Sequence, residues 1–200
     1  MPIVLEKRGE SLLLNLSKEE KEKVRVDINL NWNSQQAPKT GFFNRLFTSS
    51  APDLDLGCMY ELTDGSKGVI QPLDKNFGSL SRPPYIFLDK DDRTGAAADG
   101  ENMVIVRPDT IKRVLIFAMI YQGAQDFRTV EGRMSFRVSN GKEIHIALNN
   151  PSDNLTWCAA AMITSTPSGV KVTKEEQYFS WPDKADDYYG FGFTWVRKTK

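Results

Sequence analysis

Five carboxylates crowd into the fourteen residues from Asp89 to Asn102, DKDDRTGAAADGEN, between two short stretches of strand-like sequence. Oxygen donors at that density suit a hard cation. Calcium takes about six to eight oxygens from carboxylates, amides, carbonyls and water, at about 2.3–2.6 Å. Asp89, Asp91, Asp92, Asp99, Glu101 and Asn102 offer side-chain donors, while Gly95 and Gly100 let the backbone turn so that its carbonyls can join. Magnesium keeps more of its water and uses fewer protein ligands, so calcium is the better match. The loop is not an EF-hand, because counting from Asp89 the sixth position is Thr94 rather than Gly and the twelfth is Gly100 rather than Glu. A solvated acidic loop with Arg93 paired to a neighbouring carboxylate is the competing reading, although unneutralised acids this close repel one another. Upstream, Asp53-Leu54-Asp55-Leu56 opens a strand in which alternation puts Asp53 and Asp55 on one face. The two acidic elements could converge on one oxygen-rich site.

Other chemistries find little support. His145 is the single histidine, and in Glu143-Ile144-His145-Ile146 it points away from the apolar face of its strand, with no nucleophile signature nearby. No Gly-rich phosphate loop follows a strand. Cys58 and Cys158 have neither a neighbouring cysteine nor zinc spacing and read as reduced, buried thiols. The aromatic run at the carboxyl end, from Tyr178 to Trp195, could stack on a ligand. Its acidic flank, Asp183, Asp186 and Asp187, would repel phosphate, so a hydrophobic cap closing the fold is expected.

The elements that must position these residues have a period of two. In Asp53 to Leu62, Leu54, Leu56, Cys58, Tyr60 and Leu62 share a face opposite Asp53, Asp55, Met59 and Glu61, a half-buried strand with its acids at one end. Val24 to Trp32 alternates likewise. Met134 to Val138 and Ile144 to Leu148 form a hairpin across Asn140-Gly141, which is expected to supply the positive dihedrals of a tight turn. Val114 to Tyr121 is apolar on both faces and reads as a central strand. Further strands are expected at Leu12–Leu16, Val69–Leu73, Tyr85–Leu88, Met103–Arg107, Trp157–Thr164 and Gly169–Val172. Helix is expected only at Lys174–Phe179, with a turn near Asp183–Tyr189. The class is all-β, an antiparallel β-sandwich with a few short helices, in a single domain spanning residues 1–200.

One long loop interrupts the strands. Ser34 to Pro52 has no clean period, yet places Phe42, Phe43, Leu46 and Phe47 beside Lys39 and Arg45. A basic, Phe-rich tip could dock on a membrane surface or a partner groove. A loop that folds its Phe residues onto its own domain accounts for the pattern equally well. The 26 basic and 26 acidic residues cancel, so no global field argues for nucleic acid. The amino terminus has no signal-like segment and no run is long enough to span a bilayer, which predicts a cytoplasmic protein, peripheral to the inner face of the membrane at most.

In the strand VDINLNW, then DLDLGCMYEL, DGSKGVIQPL, FGSLSRPPYIFLDKDDRTGAAADGEN and KRVLIFAMIYQG, the sequence resembles the bacterial tellurium-resistance, or TerD-domain, family from about Val24 to Met162. Within it the chain is similar to the TerA-type branch, whose members place a basic, Phe-rich insertion, here KTGFFNRLF, before the DLDL strand. The resemblance implies a β-sandwich whose acidic loops bind one or two calcium ions, and a role in tellurite resistance and stress response; the partners expected are proteins of the same system, a membrane-bound member among the candidates. The DLDL motif nominates Asp53 and Asp55 as ligands, and the acidic loop nominates Asp91, Asp92, Asp99, Glu101 and Asn102. Asp89 is added on spacing. The sequence departs from the family where Ala96, Ala97 and Ala98 dilute the loop and where Asn102 and Met103 stand near expected acids, and fewer charged ligands weaken a calcium site.

The expectation is a non-enzymatic, calcium-binding stress-response module acting through a partner. One rival is a small-ligand binding protein or enzyme using the acidic cleft, with His145 or a carboxylate as its working group. Another makes the metal site vestigial and the Phe42, Phe43, Arg45, Leu46 and Phe47 loop the contact surface. Soft tellurium species prefer thiols to hard oxygens, so two buried cysteines argue against direct detoxification.

Overall fold

The computed structural model describes residues 2–33, 51–90, 100–149 and 155–196. Their elements run β1 (Ile3–Val4), β2 (Ser11–Asn15), α1 (Lys18–Lys23), β3 (Arg25–Asn31), β4 (Asp53–Leu62), β5 (Lys67–Ile70), β6 (Gly78–Ser79), β7 (Ile86–Leu88), β8 (Glu101–Val106), β9 (Ile111–Gln122), β10 (Gly132–Val138), β11 (Glu143–Leu148), β12 (Trp157–Thr166), β13 (Gly169–Phe179) and α2 (Pro182–Tyr189). Alternating apolar residues demand a second layer to cover each strand, and two sheets supply it. One has the order β1-β11-β10-β3-β8-β7-β6, and the other β2-β13-β12-β9-β4-β5. Every pairing among them is antiparallel except that of β1 with β11. The all-β sandwich expected from the sequence is the observed architecture.

The main core lies between the sheets. Val26, Ile28 and Leu30 of β3 and Met134 and Phe136 of β10 face Leu54, Leu56 and Cys58 of β4 and Val114, Ile116 and Ala118 of β9. Both cysteines are buried free thiols within it. Trp32 joins the same core at the end of β3, and its indole Nε1 donates to the Pro52 carbonyl at 3.0 Å. That bond holds together the two points where the chain leaves β3 and enters β4.

A second core covers the outer face of the β2-to-β5 sheet, where the alternating pattern left solvent. Met59, Leu115, Phe117, Trp157 and Ala159 are buried there beneath Ala185 of α2 and Phe191. Gly57 makes room for this layer, because a Cβ at that position would lie 2.3 Å from Cζ of Phe117. Phe117 in turn packs on Trp157 with ring centroids 4.6 Å apart. The segment after α2 is buckled down by Asp186, whose buried carboxylate accepts from Gly192 N at 2.7 Å, Phe193 N at 2.7 Å and Trp195 Nε1 at 2.9 Å. Arg113 fastens the same segment from below. It donates to Glu61 at 2.8 Å, to the Tyr189 carbonyl at 2.6 Å and to the Gly190 carbonyl at 2.9 Å, and its guanidinium lies 4.1 Å from the Phe191 ring centroid. The carboxyl-terminal aromatics are therefore a hydrophobic cap, as expected, built from a helix and an extended strap.

Three local readings change. Lys174–Phe179 is not helical but the second half of β13. Its register against β12 slips between Ala159 and Ala161, and Glu176 takes a positive φ of 42°, so a bulge breaks the alternation that would have marked the strand. The inward position after Val170 and Val172 is also held by a charge: Lys174, whose ammonium reaches the Glu6 carbonyl at 2.9 Å and Glu176 at 2.7 Å. The chain does form a helix at Lys18–Lys23, where Ser17 and Glu20 make a reciprocal capping box. In the β10–β11 hairpin only Gly141 takes positive φ, at 87°, and Asn140 instead accepts from Lys142 N with its side chain at 3.1 Å.

Candidate functional site

The acidic elements meet where β4 and β8 begin. β5 pairs with β4 only from Cys58 onward, so among the described residues the earlier part of that edge of β4 has no strand partner. Glu101, the first residue of β8, reaches across from the other sheet and accepts the Leu56 N–H at 2.6 Å. Gly100 permits this approach. Its φ is 61° and a Cβ there would lie 2.1 Å from the Leu30 carbonyl oxygen, so the chain turns tightly against β3 before Glu101 points inward. Asp53 and Asp55 stand on β4 on either side of Leu54, each 1% exposed, and Glu101 is 0% exposed. Burying a carboxylate is costly unless it is hydrogen-bonded, paired or coordinated to a metal.

Strand alternation divides the nominated residues into two groups. Glu101 faces inward with Met103 and Ile105, whereas Asn102 faces outward with Val104. On that outer face Asp89 and Asn102 are locked to each other. Asn102 donates its backbone N–H to Asp89 Oδ1 at 3.0 Å and its amide to Asp89 Oδ2 at 3.1 Å, and Asp89 N returns a bond to the Asn102 carbonyl at 2.9 Å. This clasp draws together the two ends of the acidic loop. Asp91, Asp92 and Asp99 lie outside the described residues, as do Phe42, Phe43, Arg45, Leu46 and Phe47. Asn29 of β3 joins the clasp, its amide donating to Asn102 Oδ1 at 2.9 Å. Sequence reasoning passed over Asn29, although its place among the outward residues of Val24 to Trp32 was the available signal.

The donors are hard and anionic: Asp53 and Asp55 buried at the start of β4, Glu101 bonded to the β4 backbone, and a carboxylate–amide pair on the outer face. That chemistry fits calcium rather than a soft metal. Among the described residues, no group of three or more His, Cys, Asp or Glu could by itself hold a metal ion. His145 sits on the outer face of β11, half exposed, with Nε2 3.0 Å from Glu143, which that bond holds below the ordinary carboxylate range. Burial pushes both thiols, Cys58 and Cys158, well above the ordinary thiol range.

With this geometry in view, similarity to known proteins becomes informative. The chain is 36% identical over 178 residues to the Tellurium resistance protein TerA of an Alcaligenes species, an overlap of 88% of this chain and 52% of that protein. The chain resembles the tellurium-resistance proteins. It spans about half the length of that curated relative. A solved structure of a homologue of telluride resistance protein (TerD) from Streptomyces coelicolor A3(2) superposes with a TM-score of 0.53, covering 78% of this chain and 90% of that one at 20% identity, which establishes a shared fold. No protein-family model matches. Among the described residues, no helix is long and apolar enough to cross a membrane.

Proposed function

We propose that this chain is a non-enzymatic, calcium-binding module of a tellurium-resistance stress response, acting through a protein partner in the cytoplasm. The observation that carries the reading is the junction at which Glu101 crosses from one sheet to the β4 backbone beside the buried Asp53 and Asp55. Asp53, Asp55 and Glu101 would supply donors from the sandwich and the loop acids Asp91, Asp92 and Asp99 the remainder, while Asp89 and Asn102, on the opposite face of β8, hold the ends of that loop. Bound calcium would supply positive charge that draws the two sheets together at this end. The protein's own part is to hold Glu101 inward through the Gly100 turn and to fix the loop ends through the Asp89–Asn102 clasp. The ordered surface beside that clasp is what a partner would recognise, and the resemblance to the tellurium-resistance proteins supports a partner from the same system.

Calorimetry on metal-stripped protein tests this. The expected result is binding at about 10⁻⁶ M, in the range of calcium sensors, lost in both Asp55→Asn and Glu101→Gln. Absence of binding to the unmodified chain, or binding that survives both substitutions, overturns it.

A further inference from the structure

The outer face of the β1-to-β6 sheet carries a groove that begins at the Asp89–Asn102 clasp and runs away from the β4–β8 junction. Strand register lays its side chains out in rows. Ser135 of β10 lies opposite Asn29 of β3, Asn29 opposite Asn102 of β8, and Asn102 is clasped to Asp89 just beyond β7. The next row runs from Arg137 through Asp27 and Val104 to Phe87. Together with Leu80 these residues line a groove of about 660 Å³, within the range of about 300–1,000 Å³ typical of small-ligand sites.

The two rows have different chemistry. The first is a ladder of planar amides: the Asn29 amide donates to Asn102 Oδ1 at 2.9 Å, and the Asn102 amide donates to Asp89 Oδ2 at 3.1 Å. Each amide carries two N–H donors and two carbonyl lone pairs, so such a ladder can present donors and acceptors side by side in fixed orientation. The second row ends in an apolar shelf formed by the partly exposed Phe87 and Val104. The groove's charges neutralise one another. Arg25 pairs with Asp27 at 2.6 Å, and Arg137 reaches Glu143 at 3.4 Å. An anion would have to compete with those carboxylates for its guanidinium partners.

We propose that this groove binds an uncharged polyhydroxylated ligand, a short saccharide. A sugar ring has an apolar face that packs on an aromatic shelf. Its neighbouring hydroxyls, each both donor and acceptor, match planar amides and carboxylates. The proposal does not depend on calcium at the β4–β8 junction.

The test is ¹H–¹⁵N spectroscopy of the full chain in chelator, with maltotriose, cellotriose and the trimer of N-acetylglucosamine added separately at millimolar concentration. The expected result is a saturable shift of the Asn29 and Asn102 side-chain amide signals with at least one trisaccharide. Affinity should fall about tenfold in Phe87→Ala and be lost in the groove-filling Ser135→Arg, with the remaining spectrum unchanged. The proposal is overturned if no trisaccharide shifts these signals. It is equally overturned if inorganic phosphate or succinate shifts them alike, if Phe87→Ala binds undiminished, or if sugar binding needs added calcium and disappears in Asp55→Asn.

Discussion

The two sheets show their partners alike but turn different faces outward. On the β2-to-β5 sheet the outer face is a second core, roofed by α2 and a strap that Asp186 and Arg113 hold in place. On the β1-to-β6 sheet it is an open lattice of amides, paired charges and one aromatic shelf. Alternation along a strand is a rule about two faces, and it says which residues are inside only when a single layer covers them. Here β4 and β9 are covered twice, and β3 and β8 once.

That contrast can be broken from its stronger side first. Trp157→Ala, which empties the middle of the roofed layer, should cost about 3–5 kcal/mol in denaturant unfolding. A smaller loss would mean that the roof contributes little. Asp186→Ala leaves three N–H donors without their acceptor and should cost about 2–3 kcal/mol, with hydrogen exchange quickening at Gly192 and Phe193 while β9 and β12 remain protected.

Glu61 offers a pH-dependent version of the same test. Hydrogen bonds from Lys112 and then Arg113 hold its carboxyl down at about 2, against an ordinary value of about 4.5. Its folded value is depressed, so its stabilisation is complete above about pH 4.5 and is lost as pH falls toward 2. Melting temperature should decline through that window, and Glu61→Gln should flatten part of the decline. An identical acid limb in the variant would remove Glu61 from the account.

Ser135→Ala and Arg137→Ala, on the open lattice, should move stability by no more than about 0.5 kcal/mol. A loss comparable to that of Asp186→Ala would show that this face is structural. Smallest of all, Cys58 and Cys158 should not react with a thiol reagent in the native protein and should react only on unfolding, because their thiols are buried and hold their protons.

Much of the fold was legible because one face of each strand obeys the pleat: Val26, Ile28 and Leu30 announce β3, and Met134 and Phe136 with Ile144 and Ile146 announce the β10–β11 hairpin. The failures have local causes. Lys174 fills an inward position and a bulge follows it, so KEEQYF reads as helix until β12 pairs with it. The Ser17–Glu20 capping box that starts α1 is legible in the sequence as S-K-E-E, yet the six residues of the helix carry no apolar stripe to mark it. At the candidate site, the acids of Asp53, Asp55 and Glu101 were readable as ligand types. The burial of Glu101 was not, because it depends on its crossing between sheets to a strand far away in sequence. Asn29 went unnoticed because an amide amid alternating polar residues looks like any solvated position until register sets it beside Asn102.

The hydrogen bond from Trp32 to Pro52 has a practical meaning for protein engineering. It pins the end of β3 to the residue before β4, so the two strand ends that flank the chain between Asn33 and Ala51 are held at a fixed spacing. Closing a flexible loop costs only about 0.6 kcal/mol more for each doubling of its length. A reporter, an epitope or a clipped linker could therefore be grafted there without re-registering either sheet.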